Sequence, residues 1–204
     1  MRYAKVSTFC LGNAATMKAV ERTARDAIPN IADFCLVHVV DGTSIPCVAA
    51  HHISREKQTR LRALMRSLRI RRNDLVSSVA QVIRTKRPLL RTRVYEDPSA
   101  ALRRTGKTRP GRGQVTELHR RLAPCSVLVV PIMAGSAVLG ALSLCYSESR
   151  RSYATRHLGP AKRLALKIAN ALKPRDRISG QSKDYLSTRQ KLTAHRIHAV
   201  QKLQ

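Results

Sequence analysis

The sequence has few aromatic residues and no long apolar stretch. Only 3% of its 204 residues are aromatic, with two phenylalanines and no tryptophan, so aliphatic side chains must form most of the core. No segment approaches the roughly 20 apolar residues that a membrane-spanning helix needs. The apolar stretch near the N-terminus is short and interrupted, which predicts no signal peptide. We therefore expect a cytoplasmic protein.

Acidic residues are also scarce, with 12 Asp and Glu against 39 Lys and Arg and a formal net charge of +27 at pH 7. Paired carboxylates for acid–base catalysis are therefore hard to assemble. No Ser, His and Asp residues show the spacing of a hydrolase triad. We expect that the protein is not an enzyme.

The positive charge is unevenly distributed. Residues 1–54 hold five basic and four acidic residues, whereas the rest of the chain holds 34 basic and eight acidic residues. Such a field attracts nucleic acid, anionic lipid or an acidic protein, and we expect non-specific polyanion binding. The candidate residues for a basic surface are Arg60, Arg69, Arg71, Arg72, Arg103 and Arg104.

The five cysteines follow neither a disulfide nor a metal-site pattern. Their number is odd and no C-x-x-C spacing occurs. Most lie inside apolar runs, which indicates buried, reduced thiols. We expect no metal and no cofactor.

Periodicity in the first half predicts a helix, a hairpin and a second helix. Apolar residues recur every three to four positions over 14–28, as in an amphipathic helix. Two β-type runs, 32–40 and 45–53, flank an Asp-Gly turn and predict an antiparallel hairpin. Ser54 is the expected N-cap of a helix that ends near Arg69.

The second half continues this mixed pattern. We expect Asn73 and Asp74 to cap a helix over 75–85 that buries Val76, followed by a short strand from Pro88. A mobile loop is predicted over 98–113, because this stretch is rich in Gly, Pro and Arg. Further elements are a helix over 115–122, strands over 125–133 and 137–146, and a helix over 155–172.

Three stretches resemble bacterial GAF domains, which are sensory modules. Residues 31–42 (IADFCLVHVVDG) are similar to the family's opening strand and turn. Residues 79–88 (VAQVIRTKRP) resemble its helix before an R-T-G-R-P turn, with Lys86 in place of the glycine. Residues 126–132 (SVLVVPI) and 138–144 (VLGALSL) look like its terminal hairpin. Together these stretches indicate a GAF-like domain over 14–173, an N-terminal segment over 1–13 and a basic, partly helical tail over 174–204.

The resemblance implies an α+β fold with a mostly antiparallel sheet of about five or six strands. The N- and C-terminal helices would cover one face, and helices and loops around a ligand pocket would cover the other. We also expect signalling through an unknown small molecule or a separate partner protein, or alternatively through a homodimer formed by the terminal helices. The candidate pocket residues are His38, Cys47, His52 and Cys125, although His38 in particular also suits a buried residue with no ligand role.

The sequence lacks the residues that several specialised GAF domains need for their activities. The N-K, F and D-E pattern of cyclic-nucleotide binders is absent, and no Cys-His pair lies at a bilin-attachment position. The cysteines fall mainly in predicted strands, unlike the paired loop cysteines of methionine sulfoxide reductases of this fold. The fragment Gly106-Lys107-Thr108 lacks the upstream glycine of a phosphate-binding loop.

Two alternatives remain open. One is a nucleic-acid-associated protein that uses a GAF-like scaffold. The other is a truncated, non-catalytic remnant of a sensor histidine kinase, because residues 184–187 and 191–195 loosely resemble the start of its dimerisation helix. Gln190 would then occupy the phosphoacceptor position, so we expect no kinase activity.

Overall fold

The structure, a computed structural model, describes residues 13–94 and 122–173. The chain divides into a unit over residues 1–173 and a unit over residues 174–204, and all of the described residues belong to the first unit. The loop predicted over 98–113, nearly all of the helix predicted over 115–122 and the whole tail lie outside the described residues.

The described residues form five strands and four α-helices. Their sheet is antiparallel throughout and has the strand order β2-β1-β5-β4-β3, which confirms the predicted α+β fold. The elements in chain order are α1 (Ala14–Arg25), β1 (Phe34–Val39), β2 (Cys47–His52), α2 (Arg55–Ser67), α3 (Ser78–Thr85), β3 (Leu89–Arg91), β4 (Ser126–Ala134), β5 (Ala137–Tyr146), a 3-10 turn (Thr155–His157) and α4 (Leu158–Leu172).

Local turn chemistry sets the ends of these elements. Gly42 and Gly135 adopt φ of 58° and 59° in the two hairpin turns, a region that glycine enters without steric cost. Lys86 ends α3 in the same left-handed region with φ 59°, which a residue with a side chain adopts at a steric cost. Its Nζ donates a hydrogen bond to the Ser136 carbonyl at 2.8 Å.

The helices α1 and α4 lie together on one face of the sheet, as predicted. Both contribute to a single continuous apolar cluster that also includes Cys35 and Val37 of β1 and Leu128 of β4. Its residues alternate along the strands with residues of the opposite face, as the period of a pleated strand requires. No helix among the described residues has the length and apolar character to cross a membrane.

The helix α3 begins three residues later than predicted. The Asp74 Oδ1 accepts hydrogen bonds from the backbone N–H groups of Val76 and Ser77 at 2.9 and 3.2 Å, and this side-chain-capped turn competes with helix. The Ser77 Oγ then caps α3 by accepting from Ala80 N–H at 3.3 Å. Val76 is 67% exposed, so its predicted burial was wrong.

Candidate functional site

The face of the sheet under α2 and α3 differs from the other face, because its core is divided. One cluster contains the inner residues of α2, and a second contains those of α3, while half-buried Val127 packs against both. The α2 cluster comprises Phe34, Leu36, Ala50, Leu61, Met65, Leu122 and Cys145, and the α3 cluster comprises Val40, Ile45, Val79, Ala80, Val82, Ile83, Val129, Val138 and Ala141.

Two buried polar residues lie where these clusters meet. On β1, His38 falls between Leu36 of the α2 cluster and Val40 of the α3 cluster. On β5, Ser143 is paired with Leu36 and lies two residues from Ala141, the partner of His38. His38 is 2% exposed and Ser143 is also buried. The junction of the clusters is therefore polar although its surroundings are aliphatic.

His38 has unused hydrogen-bonding capacity. Neither its Nδ1 nor its Nε2 has a hydrogen-bond partner within the described part of the chain. Burial lowers the pKa of His38 to about 4, so the imidazole is neutral at pH 7, with one nitrogen a donor and the other an acceptor. A buried polar group left unpaired costs about 1–3 kcal/mol, and a ligand that pairs with it would recover this energy.

An irregular strand pairing brings Cys47 to the same place. Val37 pairs with Ala49 and the next residue, His38, pairs with Cys47, so β2 contains a bulge at Val48. The Cys47 side chain packs against the α2 cluster, and its Sγ donates to the Ala49 carbonyl at 3.3 Å. Burial raises the pKa of Cys47 to about 12, so the group is a neutral thiol.

The other two pocket candidates lie away from His38. His52 pairs with Phe34, about 13 Å along β1 at the rise of a strand, and stacks on the Phe34 ring at 5.5 Å. Its Nδ1 accepts from Ser54 N–H at 2.9 Å. Cys125 precedes β4, and its single S–H lies within reach of the carbonyls of Tyr146 at 3.3 Å and Arg151 at 3.4 Å. Of the four candidates, His38 and Cys47 lie together.

Sequence reasoning did not select Ser143 or Gly140. A Cβ on Gly140 would lie 2.0 Å from the His38 carbonyl oxygen, so the glycine is required for β5 to pair beside His38. Ser143 is a single polar residue within an apolar run, and this is the signal that could have identified it.

The basic-surface candidates are on the outside of the domain. Arg60 forms an ion pair with Glu56 at 3.0 Å, and Arg71 is exposed. Arg69 donates to the Arg66 carbonyl at 2.8 Å, and Arg72 donates to the Gly42 carbonyl at 3.1 Å. Arg103 and Arg104 lie outside the described residues.

The possible metal ligands of the described structure lie within residues 13–94 and 122–173. In these ranges no three His, Cys, Asp or Glu side chains lie close enough together to hold a metal ion.

Comparison with known proteins identifies one family. A model of the GAF domain family matches residues 14–173, whereas no curated protein matches the chain. Among solved structures, the GAF domain of a phosphoenolpyruvate-protein phosphotransferase from Coxiella burnetii is 18% identical, with a TM-score of 0.52 over 82% of this chain and 88% of that one. Residues 122 to 287 of a methyl-accepting chemotaxis protein are 14% identical, with a TM-score of 0.56 over 82% of this chain and 94% of that one. The second GAF domain of DevS from Mycobacterium smegmatis is 16% identical, with a TM-score of 0.51 over 87% of this chain and 99% of that one. At these identities the likeness concerns the fold.

Proposed function

Because the chain belongs to the GAF domain family, whose members are sensory and regulatory signalling domains, we propose that it binds a small uncharged ligand between α2 and α3. The ligand contacts His38 and Ser143, and its occupancy regulates a separate signalling protein. In this proposal the domain is a sensor and catalyses no reaction.

The unpaired imidazole of His38 carries this proposal. A fully buried side chain with two unpartnered nitrogens is rare in folded proteins, where buried polar groups nearly always have partners. The polar junction lies under the helices of one face, while the opposite face has one continuous core. A ligand with one hydrogen-bonding group and an apolar body would complete both the hydrogen bonding and the packing.

The electrostatics favour an uncharged ligand. Burial is the cause of the lowered pKa of His38, and no charged neighbour among the described residues contributes to it. A charged ligand would therefore enter an apolar site without a compensating charge, which is costly. A neutral amide, hydroxyl or carbonyl group matches the donor and acceptor of a neutral imidazole.

A ligand at this position would act on two helices at once. Leu61 and Met65 belong to the α2 cluster, and Val79 and Ile83 belong to the α3 cluster. A molecule between the clusters would favour the arrangement of α2 and α3 that contacts it on both sides, which is a shift in population. The partner would read the position of these helices.

Single-stranded nucleic-acid binding receives less support. Single-strand binding relies on exposed aromatic rings that stack on bases, and the described aromatic residues Phe34, Tyr146 and Tyr153 are all buried. The many arginines would then give a salt-sensitive association with polyanions in general.

The test is a thermal-shift screen of the full chain against a metabolite and nucleotide library at about 0.15 M and 0.5 M salt. We expect a compound that raises the melting temperature equally at both salt concentrations, and whose effect is absent in His38→Leu. The matched control is His51→Leu, since His51 is also buried in the sheet but belongs to the opposite face. Stabilisation by polyanions alone, lost at the higher salt, would contradict the proposal.

A further inference from the structure

The outer side of α2 and the loop that follows it combine positive charge with exposed aliphatic side chains. Arg62 and Arg66 are four residues apart, which places them along one side of α2, and Arg69 follows two residues after the end of the helix. They are exposed, as are Arg71, Leu75 and Val76. We call these six residues the α2 surface.

The arginines of this surface are not neutralised by the described carboxylates. The single acidic residue of α2, Glu56, is paired with Arg60. No carboxylate among the described residues lies within 4.0 Å of Arg62, Arg66, Arg69 or Arg71. The surface therefore presents a concentrated positive potential to an outside partner.

The two aliphatic side chains are held outward by a structured loop. Leu75 is 76% and Val76 is 67% exposed. Asp74 fixes the Val76 backbone through its side-chain hydrogen bond at 2.9 Å. Arg71 pairs with Ser44, and Arg72 N–H donates to the Thr43 carbonyl at 3.0 Å, so the loop is fastened to the β1–β2 turn. Leu75 and Val76 therefore form a small exposed apolar pair that follows Arg71 in the same loop.

We propose that the α2 surface docks on an anionic lipid bilayer. Arginines attract phosphate headgroups, and adjacent aliphatic side chains enter the boundary between headgroups and acyl chains. A nucleic-acid duplex would neutralise the arginines but would leave Leu75 and Val76 uncovered, so the pair favours lipid. This peripheral attachment uses residues other than those of the ligand site and would hold the sensor at a membrane surface.

The first experiment measures co-sedimentation of the full chain with vesicles. One set contains phosphatidylcholine alone, and the other contains phosphatidylcholine and phosphatidylglycerol at about 7:3, which gives a negative surface. We expect clear binding to the anionic vesicles only. Replacing Arg66 and Arg71 with Gln should lower the partition coefficient by about 25-fold, or about fivefold per arginine near the surface. The matched control, Lys162→Gln with Lys167→Gln, removes two exposed charges from α4 and should bind almost normally.

The second experiment separates lipid insertion from charge attraction. Leu75→Ser with Val76→Ser should lower binding by about tenfold, because both side chains lose apolar burial. The control Leu166→Ser changes an α4 residue that is 56% exposed and should leave binding unchanged. The chain has no tryptophan, so Val76→Trp provides a unique fluorophore whose emission should move to shorter wavelength on anionic vesicles. Leu166→Trp should show no such shift.

Three results would overturn the proposal. These are absence of binding to anionic vesicles, equal loss in the α4 control variants, and unchanged binding and emission on altering Leu75 and Val76. If a DNA duplex bound the full chain with the same dependence on Arg66 and Arg71 while vesicles did not, the surface would be a nucleic-acid site.

Discussion

Replacing His38 with Leu should stabilise the unliganded domain, which is the opposite of the usual effect of a buried substitution. Both imidazole nitrogens are buried and unpaired, and this costs about 1–3 kcal/mol. Leucine has a similar size and no polar atom, and the neighbouring Leu36 and Val40 are aliphatic. We therefore expect the free energy of unfolding to rise by about 2 kcal/mol.

The assay is urea unfolding of the full chain and His38→Leu, followed by far-UV circular dichroism. A gain of this size corresponds to about 4–8 °C in melting temperature for a domain of this length. His38→Asn is the polar comparison and should not stabilise, because its amide would also be unpaired. If His38→Leu lowered stability by more than about 1 kcal/mol, the imidazole would already be satisfied and the argument for a ligand there would fail.

Four further outcomes follow from the described contacts. The unfolded state takes up a proton at His38 near pH 6.5, whereas the folded pKa is about 4, so stability should be full above pH 6.5 and fall by about 3 kcal/mol as pH drops to 4. In His38→Leu, the free energy of unfolding should no longer show this fall between pH 6.5 and 4, as urea titrations at each pH can measure. Gly140→Ala should cost at least about 2 kcal/mol in the same assay, because its Cβ would lie 2.0 Å from the His38 carbonyl oxygen, and an unchanged midpoint would refute that clash. Ser77→Ala should cost about 1 kcal/mol by removing the α3 cap, whereas Ser78→Ala, which removes no cap, should cost less. The buried thiols Cys35 and Cys145, whose pKa values burial raises, should resist iodoacetamide in the folded protein and react when it is unfolded, as mass spectrometry can show.

Those parts of the fold that depend on neighbouring residues could be predicted from the sequence. The Asp41-Gly42 turn between two apolar runs predicted the first hairpin, because such a turn matches the twist of the strands. Alternation also placed His38 on the same strand face as Leu36 and Val40. These inferences need no knowledge of distant parts of the chain.

The remaining features depend on contacts between distant residues. The bulge that sets Cys47 beside His38 arises in the β1–β2 pairing, and no turn residue indicates it. Ser143 reaches the site because β5 pairs with β1 across more than a hundred residues of chain. The start of α3 was missed because Asp74 caps a separate turn, a local alternative that helix periodicity does not reveal.

The helix α2 connects the two proposals. Its Leu61 and Met65 are buried in the cluster beside His38, whereas Arg62 and Arg66 face outward on the α2 surface. A ligand that repositions α2 must then alter vesicle binding, and by thermodynamic reciprocity vesicles must alter ligand affinity by the same factor. The test is ligand affinity with and without anionic vesicles, compared with vesicle affinity with and without ligand. Equality of the two factors shows that both affinities were measured at equilibrium, because reciprocity holds for any mechanism. A shared factor of one would contradict the coupling and show that α2 carries no signal between the sites.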